Sequence, residues 1–520
     1  MSKDIDRLLW VSPLPPVASG ISQYSRDLLR AIDGAWPLAV LPEPGSRPAH
    51  WQTIATVTGT AMANRMMPVY NIGNSGFHPH AFRLALQHPG ILVLHDVVLH
   101  HARLADFVQR GKGRDYVRLM SRWYGSDGER VANEILRGAS LDLSEFPLSE
   151  DYLEASSLTV VHSDHARERV QRLCPSARVH VVPMGVPLPV LVDRNDARRH
   201  LNLPENAFII TSITHVNPMK RLHVVLRALR RVVERTPETL LVVAGSVAQG
   251  MNLQRQVSLL GLERNVRIVG YLSDDDSRIL ARAADVSVNL RYPSAGETSA
   301  SLLRLLGSAR PVIVTAHGPS LELPEDVALR VSVDRFEEET LTEMLVWLAN
   351  DATARQELGV TARRFVERRH SMGAAVHGYR DAVSAAFGLE LPGLAEDLVV
   401  EQEPVLRFDA TLKAPPVALG PAEESVTEAL FALGLANHDG TIQTVAKALI
   451  ELGLDHQERN LDVVTSGARA IDPELLAVLA CPVCKTPVRL EDNKLVCGTC
   501  GRRYQIEDGI PIMLVENSSN

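Results

Sequence analysis

The sequence predicts an α/β protein: two doubly wound parallel sheets facing a cleft, followed by a small β-rich module at the C-terminus. Three observations predict it. Over the first 390 residues, short β-branched apolar runs alternate with longer amphipathic stretches, as parallel strands covered by helices on both faces require. A break near Pro187–Asp196 divides ten such runs into two groups of five. Four of the five cysteines lie within twenty residues, from Cys481 to Cys500.

The first group of strands is expected at Leu8–Ser12, Val69–Ile72, Ile91–His95, Leu158–His162 and Val179–Val182. The second is expected at Phe208–Ile213, Leu240–Ala244, Val266–Val269, Val286–Leu290 and Val312–Thr315. Helical spacing marks Ile21–Ile32, whose inner face is Ile21, Tyr24, Leu28, Leu29 and Ile32, and the run Leu222, Val225, Leu226, Leu229. Ligands of such sheets sit beyond the carboxyl ends of the strands. The expected organisation is one Rossmann-like domain over residues 1–190 and a second over 191–390. Residues 391–425 hold five prolines and seven acids against two bases, an extended, self-repelling linker. Residues 426–469 carry two short helical patterns, each stopped by glycine (Gly434, Gly453), and residues 470–516 carry the cysteine module.

Composition narrows the function. With 45% hydrophobic and 22% charged residues, the chain is neither mostly disordered nor collagen-like nor a coiled coil. A net charge of −8 argues against a general nucleic-acid coat, and five cysteines in 520 residues exclude a disulfide-dense scaffold. The acidic N-terminus lacks a signal-peptide pattern, and no apolar run reaches the ~18 residues of a membrane span, so a reduced, cytoplasmic setting is expected. The cations are nearly all arginine. Of seven lysines, only Lys220 falls between Lys112 and Lys413.

The cysteines read Cys481-x2-Cys484, twelve residues, Cys497-x2-Cys500. Each Cys-x-x-Cys turn points two thiolates at one place, and two such turns complete a tetrahedral site for zinc, closed to water and therefore structural. The residues between fit a hairpin, Thr486–Leu490 and Lys494–Val496, with its turn at 491–493. Cys174 stands apart as a plain thiol. The run from Ile471-Asp472-Pro473-Glu474-Leu475-Leu476 through the cysteines to Tyr504-Gln505-Ile506-Glu507-Asp508-Gly509-Ile510-Pro511 resembles the small zinc-ribbon family related to the methyltransferase activator subunit of tRNA and protein modification. That resemblance implies a module that binds a partner protein.

Three loops carry candidate chemistry. Ser12 is followed by Pro13-Leu14-Pro15-Pro16 and Ser19-Gly20 at the start of a helix, a place where free backbone N–H groups can meet an anion. The first strand of the second half runs into Thr214-His215-Val216-Asn217-Pro218-Met219-Lys220-Arg221, where adjacent cations at a helix start are unfavourable unless an anion joins them. After Val286–Leu290 comes Arg291-Tyr292-Pro293-Ser294-Ala295-Gly296-Glu297-Thr298-Ser299, a turn feeding a helix with small hydroxylated residues at its start.

Together with Gly73-Asn74, Val93-Leu94-His95-Asp96, Val161-His162-Ser163 and Pro183-Met184-Gly185-Val186, these loops resemble, in order and spacing, the GT-B nucleotide-sugar glycosyltransferases of family four, the retaining group-1 type, over residues 7–385. The resemblance implies that Gly20 faces the donor phosphate, His95 contacts the sugar near its anomeric carbon, Lys220 neutralises the diphosphate leaving group, Glu297 holds sugar hydroxyls, and Thr298 and Ser299 meet the phosphate. His215 and Arg221 fall on the donor side, Asp96 and His100 on the acceptor side. A terminal helix near Gly373–Phe387 is expected to cross back onto the first domain.

Two positions depart from the family. His215 stands where an arginine usually precedes the clamp lysine by five residues, and Leu305 stands where a second glutamate usually binds ribose; Arg221, His317 or Glu322 are the available substitutes. No Asp-x-Asp triad closes a strand, so no catalytic metal is expected. No protein general base is assigned, with His95 and Asp96 the candidates.

The leading expectation is a glycosyltransferase that moves a sugar from a nucleotide-diphosphate donor to a glycan, glycolipid or small-molecule acceptor with retention. It would work in the cytoplasm, with peripheral contact at the inner membrane face open to it. The alternative is a catalytically weakened scaffold that recruits an enzyme through its zinc ribbon; an RNA-modification accessory is a third, although nucleic acid is not an expected partner.

Overall fold

The computed structural model describes residues 7–393, except 18, 48–50, 52, 59–65, 140, 189, 249 and 295, and residues 481–512, except 485, 492–493 and 508–509. The expected acidic linker beyond residue 393, the two short helices of 426–469 and the start of the cysteine module at 470–480 lie outside the described residues. The chain divides into two compact units, Met1–Asp455 and His456–Asn520.

The first unit holds two parallel sheets. The first has seven strands: β1 (Leu8–Ser12), β2 (Leu38–Pro42), β3 (Ala55–Thr56), β4 (Met67–Ile72), β5 (Ile91–Leu94), β6 (Leu158–Val161) and β7 (Val179–Val181), in the order β3-β2-β1-β4-β5-β6-β7. Its helices are α1 (Gly20–Ile32), α2 (Pro79–Ala85), α3 (His100–Gln109), α4 (Gly113–Leu136), α5 (Glu150–Ala155) and α6 (Asp164–Leu173). The second sheet has six: β8 (Phe208–Ile213), β9 (Thr239–Ala244), β10 (Val266–Gly270), β11 (Val286–Asn289), β12 (Val312–Thr315) and β13 (Leu329–Val331), in the order β10-β9-β8-β11-β12-β13. Around it lie α7 (Arg194–His200), α8 (Leu222–Arg235), α9 (Leu253–Leu259), α10 (Asp274–Ala283), α11 (Ala300–Gly307) and α12 (Glu337–Asn350), followed by α13 (Ala352–Arg369) and α14 (Met372–Phe387). Each sheet reverses direction beside its first strand, between β1 and β4 and between β8 and β11, and such a reversal opens a crevice at the carboxyl ends.

All ten expected strands are present, each within two residues of its expected limits. Three more were not expected. β2 is buried but ends on Pro42, β3 has two residues, and β13 has three, too few to show a period.

The central strands are buried on both faces: in the first sheet Leu8, Trp10, Val40, Val69, Val93 and Val160 enter one core and Leu9, Val11, Ala39, Tyr70 and Leu92 another, and in the second Ile210, Leu241, Val243, Val288 and Ile313 enter one and Ile209 and Val242 another. α14 closes the first of these cores. Its Tyr379 packs edge-on to Trp10 with centroids 5.4 Å apart and meets the Tyr24 hydroxyl at 3.2 Å, so the last helix lies on the first sheet and α1. α3 and α4 form a separate helical layer with its own core of Tyr116, Met120, Val131, Leu143 and Leu148, and α4 is kinked at Gly125, φ 60° and ψ −143°.

Polar contacts join the halves across the cleft. The Glu322 carboxylate accepts from the Asp164 and His165 N–H groups at the start of α6, Gln23 Nε2 donates to Asp274 at 3.0 Å, and Arg304 pairs with Asp27 at 3.4 Å.

The second unit is a small antiparallel sheet of β14 (Val488–Glu491), β15 (Lys494–Cys497), β16 (Arg503–Glu507) and β17 (Ile510–Ile512), in chain order. The first two strands are the expected hairpin. No helix among the described residues is long and apolar enough to cross a membrane.

Candidate active site and metal centre

Four strand ends and the loops after them build the cleft. Beyond β5 stands Asp96, whose Oδ2 accepts from the Asn74 N–H at 2.7 Å. Burial, with Glu297 repelling it, pushes its carboxyl up to about 6, against the pull of Asn74, Arg291 and Lys220. The loop after β11 supplies the facing groups. Gly296 has φ +89°, and a Cβ there would stand 3.4 Å from Val97 and 3.6 Å from Arg169 Nη1. A side chain would be strained in that conformation, so glycine lets the second half's loop press against the residue after Asp96. Glu297 accepts from Arg291 and, at 2.8 Å, from the Ser294 hydroxyl. Burial opposes its charge, but Arg291 and these hydrogen bonds hold it below the ordinary glutamate range.

Lys220 comes from the loop between β8 and α8. The Tyr292 N–H donates to the Met219 carbonyl at 2.8 Å and so ties this loop to that of Arg291. Desolvation and the nearby Arg291 guanidinium lower the Lys220 ammonium to about 8, while Glu297 and Asp96 pull the other way. Asp96, Lys220, Arg291 and Glu297 therefore form one charged cluster fed by both halves. Next to it α11 begins. Ser299 is its N-cap, accepting from the Leu302 N–H at 3.3 Å, and Thr298 Oγ1 is buried with no partner. A cavity lined by His162, Asp164, Arg291, Glu297, Thr298, Ser299, His317 and Glu322 opens here.

The remaining expected site residues fall less centrally. Gly20 is the first residue of α1, with no atom within 4 Å of where a Cβ would stand. His95 is 6% exposed and packs against Tyr24 and His162. Asn71 Nδ2 donates to the Val11 carbonyl, so its Oδ1 accepts from His95 Nε2–H at 3.2 Å, and burial, His162 and His78 keep that ring neutral. His215 is exposed, with Nδ1 2.7 Å from the Ser246 hydroxyl. Its strand end is pinned: Gly245 has φ +134°, and a Cβ there would come within 1.7 Å of the Thr214 carbonyl.

Two expected residues are drawn out of the cluster. Arg221 binds Glu337 through Nε and Nη2 and lies 5.7 Å above the Tyr292 ring. Its backbone is left-handed, φ 51°, which costs about 1–2 kcal/mol for a residue with a Cβ. His100 is buried inside the helical layer, one ring nitrogen 2.6 Å from the Phe146 carbonyl and the other 2.8 Å from the Tyr116 hydroxyl. Both nitrogens are taken, because α3 turns this face toward α4. Arg291 and Arg169, in turn, were not singled out from sequence. Arg291 had a positional signal as the second residue beyond β11; Arg169, which donates to the Ser144 carbonyl at 2.5 Å, had none.

In the second unit the Sγ atoms of Cys481, Cys484, Cys497 and Cys500 all lie within 4.8 Å of one another, with Cys481 and Cys500 3.7 Å apart. Four sulfurs each about 2.3 Å from a tetrahedral zinc stand about 3.8 Å apart. The four cysteines are unbridged, so this set can hold a metal ion. The Tyr504 hydroxyl and Thr486 Oγ1 lie 3.1 Å and 3.4 Å from the sulfurs of Cys481 and Cys497 and can orient them.

Residues 193–365 match the family of glycosyl transferases group 1, and residues 472–509 match the Trm112p-like proteins. One portion of the chain is thus similar to the group 1 glycosyl transferases and another to the Trm112p-like proteins. The glycosyl transferase portion is 30% identical over 265 residues to a D-inositol 3-phosphate glycosyltransferase of Salinispora arenicola (strain CNS-205), covering 46% of this chain and 58% of that protein. The Trm112p-like portion is 50% identical over 48 residues to a UPF0434 protein of Vesicomyosocius okutanii subsp. Calyptogena okutanii (strain HA), covering 9% of this chain and 81% of that protein. Among solved structures, sucrose-phosphate synthase from Thermosynechococcus elongatus superposes with a TM-score of 0.54 at 16% identity, over 73% of this chain and all of that one. Anabaena Alr3699/HepE in complex with UDP-glucose gives 0.50 at 14% identity, over 73% of this chain and 99% of that one. The two-sheet portion has the GT-B fold.

Proposed function

We propose that the glycosyl transferase portion moves a sugar from a nucleotide-diphosphate donor to a hydroxyl-bearing acceptor, with retention and without a catalytic metal. The observation that carries this reading is the cluster itself: a half-buried lysine next to Arg291, faced by the carboxylates of Glu297 and Asp96 from the two halves. Breaking the bond from sugar to diphosphate builds negative charge on the leaving oxygen, and a fixed ammonium and helix N–H groups stabilise that charge. In this role Lys220 holds the departing phosphate, Thr298 and Ser299 present the α11 terminus to it, and Glu297 binds donor hydroxyls. Asp96 faces them from the acceptor side. Gly20 opens the α1 loop to the cleft, and His95 supports the floor.

The acceptor is a glycan, a lipid-linked sugar or a small molecule in the cytoplasm or at the inner face of the membrane. The relative named for D-inositol 3-phosphate makes a polyol phosphate the first one to try. The decisive experiment incubates the full chain with UDP-, GDP- and ADP-sugars and measures release of the nucleoside diphosphate. Lys220→Ala should abolish that release with the circular dichroism spectrum intact; wild-type turnover in the variant refutes the reading.

For the Trm112p-like portion we propose one structural zinc held by Cys481, Cys484, Cys497 and Cys500, and a surface that binds a partner protein. Four thiolates leave no position for a substrate water. Elemental analysis should find about one zinc per chain, lost in the Cys481→Ser/Cys484→Ser double variant. The scaffold reading survives on Leu305, 3% exposed and packed in the core, where the resemblance calls for an acid. The donor-hydrolysis screen separates the two.

A further inference from the structure

The resemblance places an arginine five residues before the clamp lysine, and this chain has His215 there. Neither neighbour of Lys220 replaces it. His215 is exposed and turned to Ser246, and Arg221 is held by Glu337 over the Tyr292 ring. A guanidinium does stand near Lys220, in the loop after a different strand. Arg291 follows the end of β11, and its own N–H donates to Thr315 Oγ1 at 2.9 Å, which fixes where its side chain departs. Nη1 reaches Glu297, and Nη2 lies 3.5 Å from the Oγ of Ser299, the N-cap of α11. The buried, unpartnered Thr298 hydroxyl is beside it.

We propose that Arg291 is the second cation of the donor site, gripping with Lys220 the phosphate that carries the sugar, over the start of α11. This rests on the nucleotide-sugar reading above. A guanidinium has five N–H donors in a rigid fork suited to phosphate, and Glu297 and Ser299 leave most of them free. The Glu297 carboxylate orients the fork and keeps the two cations from repelling each other unopposed. It also places the fork beside the group proposed to hold the sugar, which selects the sugar-bearing phosphate over the one next to the nucleoside. Burial first and the Arg291 guanidinium second lower the Lys220 ammonium, so the two cations stand close enough to share one anion.

The test is calorimetric titration of the full chain with the di- and monophosphates of uridine, guanosine and adenosine. It compares wild type, Arg291→Gln and Arg291→Lys, with melting temperature as the check on folding. For whichever diphosphate the wild type binds, Arg291→Gln should weaken binding about 10- to 100-fold, the range of a charge-assisted hydrogen-bond pair. The matching monophosphate should lose less than about threefold, and Arg291→Lys should recover part of the diphosphate affinity. Unchanged diphosphate binding in Arg291→Gln, or equal losses for mono- and diphosphate, overturns the assignment alone. A wild-type chain that binds none of the three diphosphates overturns the donor reading and this assignment with it.

Discussion

Lys220 was legible in the sequence because lysine is rare in this chain, and Glu297 because it sits in a turn of small residues before a helix. Arg291 was hidden by abundance, since one arginine among dozens carries no compositional signal. Asp96 was a candidate from sequence, but its link to Glu297 joins residues far apart in the chain, and only the fold brings them together. His100 shows the reverse: a histidine pair at a helix start looks functional, and the structure places one of them among Phe146 and Tyr116 as part of a core. The charges that meet at Lys220 have a consequence at this scale. Asp96 titrates near 6 and Glu297 below the ordinary range, so above neutrality Lys220, at about 8, is the member of the cluster that changes charge. The ammonium is present below pH 8 and lost above it. Affinity for a nucleoside diphosphate should therefore hold through pH 7 and fall above pH 8, approaching tenfold per unit. Titrations at pH 7, 8 and 9 should show the break, and Lys220→Arg should remove it.

Elements were legible where their length was enough to show a period. β1, β8 and β12 came out at their limits because each is a compact β-branched or leucine-rich run closed by a polar or turn residue, whereas the two residues of β3 and three of β13 carry no pattern. The helical layer of α3 and α4 was not read from sequence, since its apolar positions serve a small core of their own and not the main sheet. α14 is the element on which the first sheet most visibly depends. Tyr379, 1% exposed, packs on Trp10 and reaches Tyr24, so truncating it leaves a large void between helix and sheet. Tyr379→Ala should cost about 3–5 kcal/mol in chemical denaturation, whereas Tyr379→Phe removes only the hydroxyl contact and should cost about 1 kcal/mol.

Over the whole molecule the buried histidines set the response to acid. Burial lowers His78, His100, His162, His223 and His370 to about 4, and His95 well below its ordinary value. In the unfolded chain these rings bind protons near 6.5. Stability is thus present above pH 6.5 and is lost as pH falls toward 4, because the unfolded state takes up protons that the fold refuses. Burial raises Glu43 to about 7, Asp96 to about 6 and Glu150 above its ordinary range, and these three act in the opposite sense, but the histidines outnumber them. The melting temperature should fall steadily from pH 6.5 to 5, and a flat profile would contradict neutral, buried imidazoles. The polar contacts between the halves, such as Glu322 on the start of α6, could not be foreseen from sequence because each joins residues from different sheets.

The scarcity of lysine also gives the cleft a chemical address. Acylating reagents attack the free amine and not the ammonium, and at pH 8 Lys220 offers far more free amine than a lysine titrating near its ordinary 10.5. A limiting dose of such a reagent would tag the proteolytic fragment containing Lys220, with no other lysine between Lys112 and Lys413 to confuse the readout. Any molecule seated over that amine would shield it. Protection from labelling would then report occupancy of the cleft before either substrate is known.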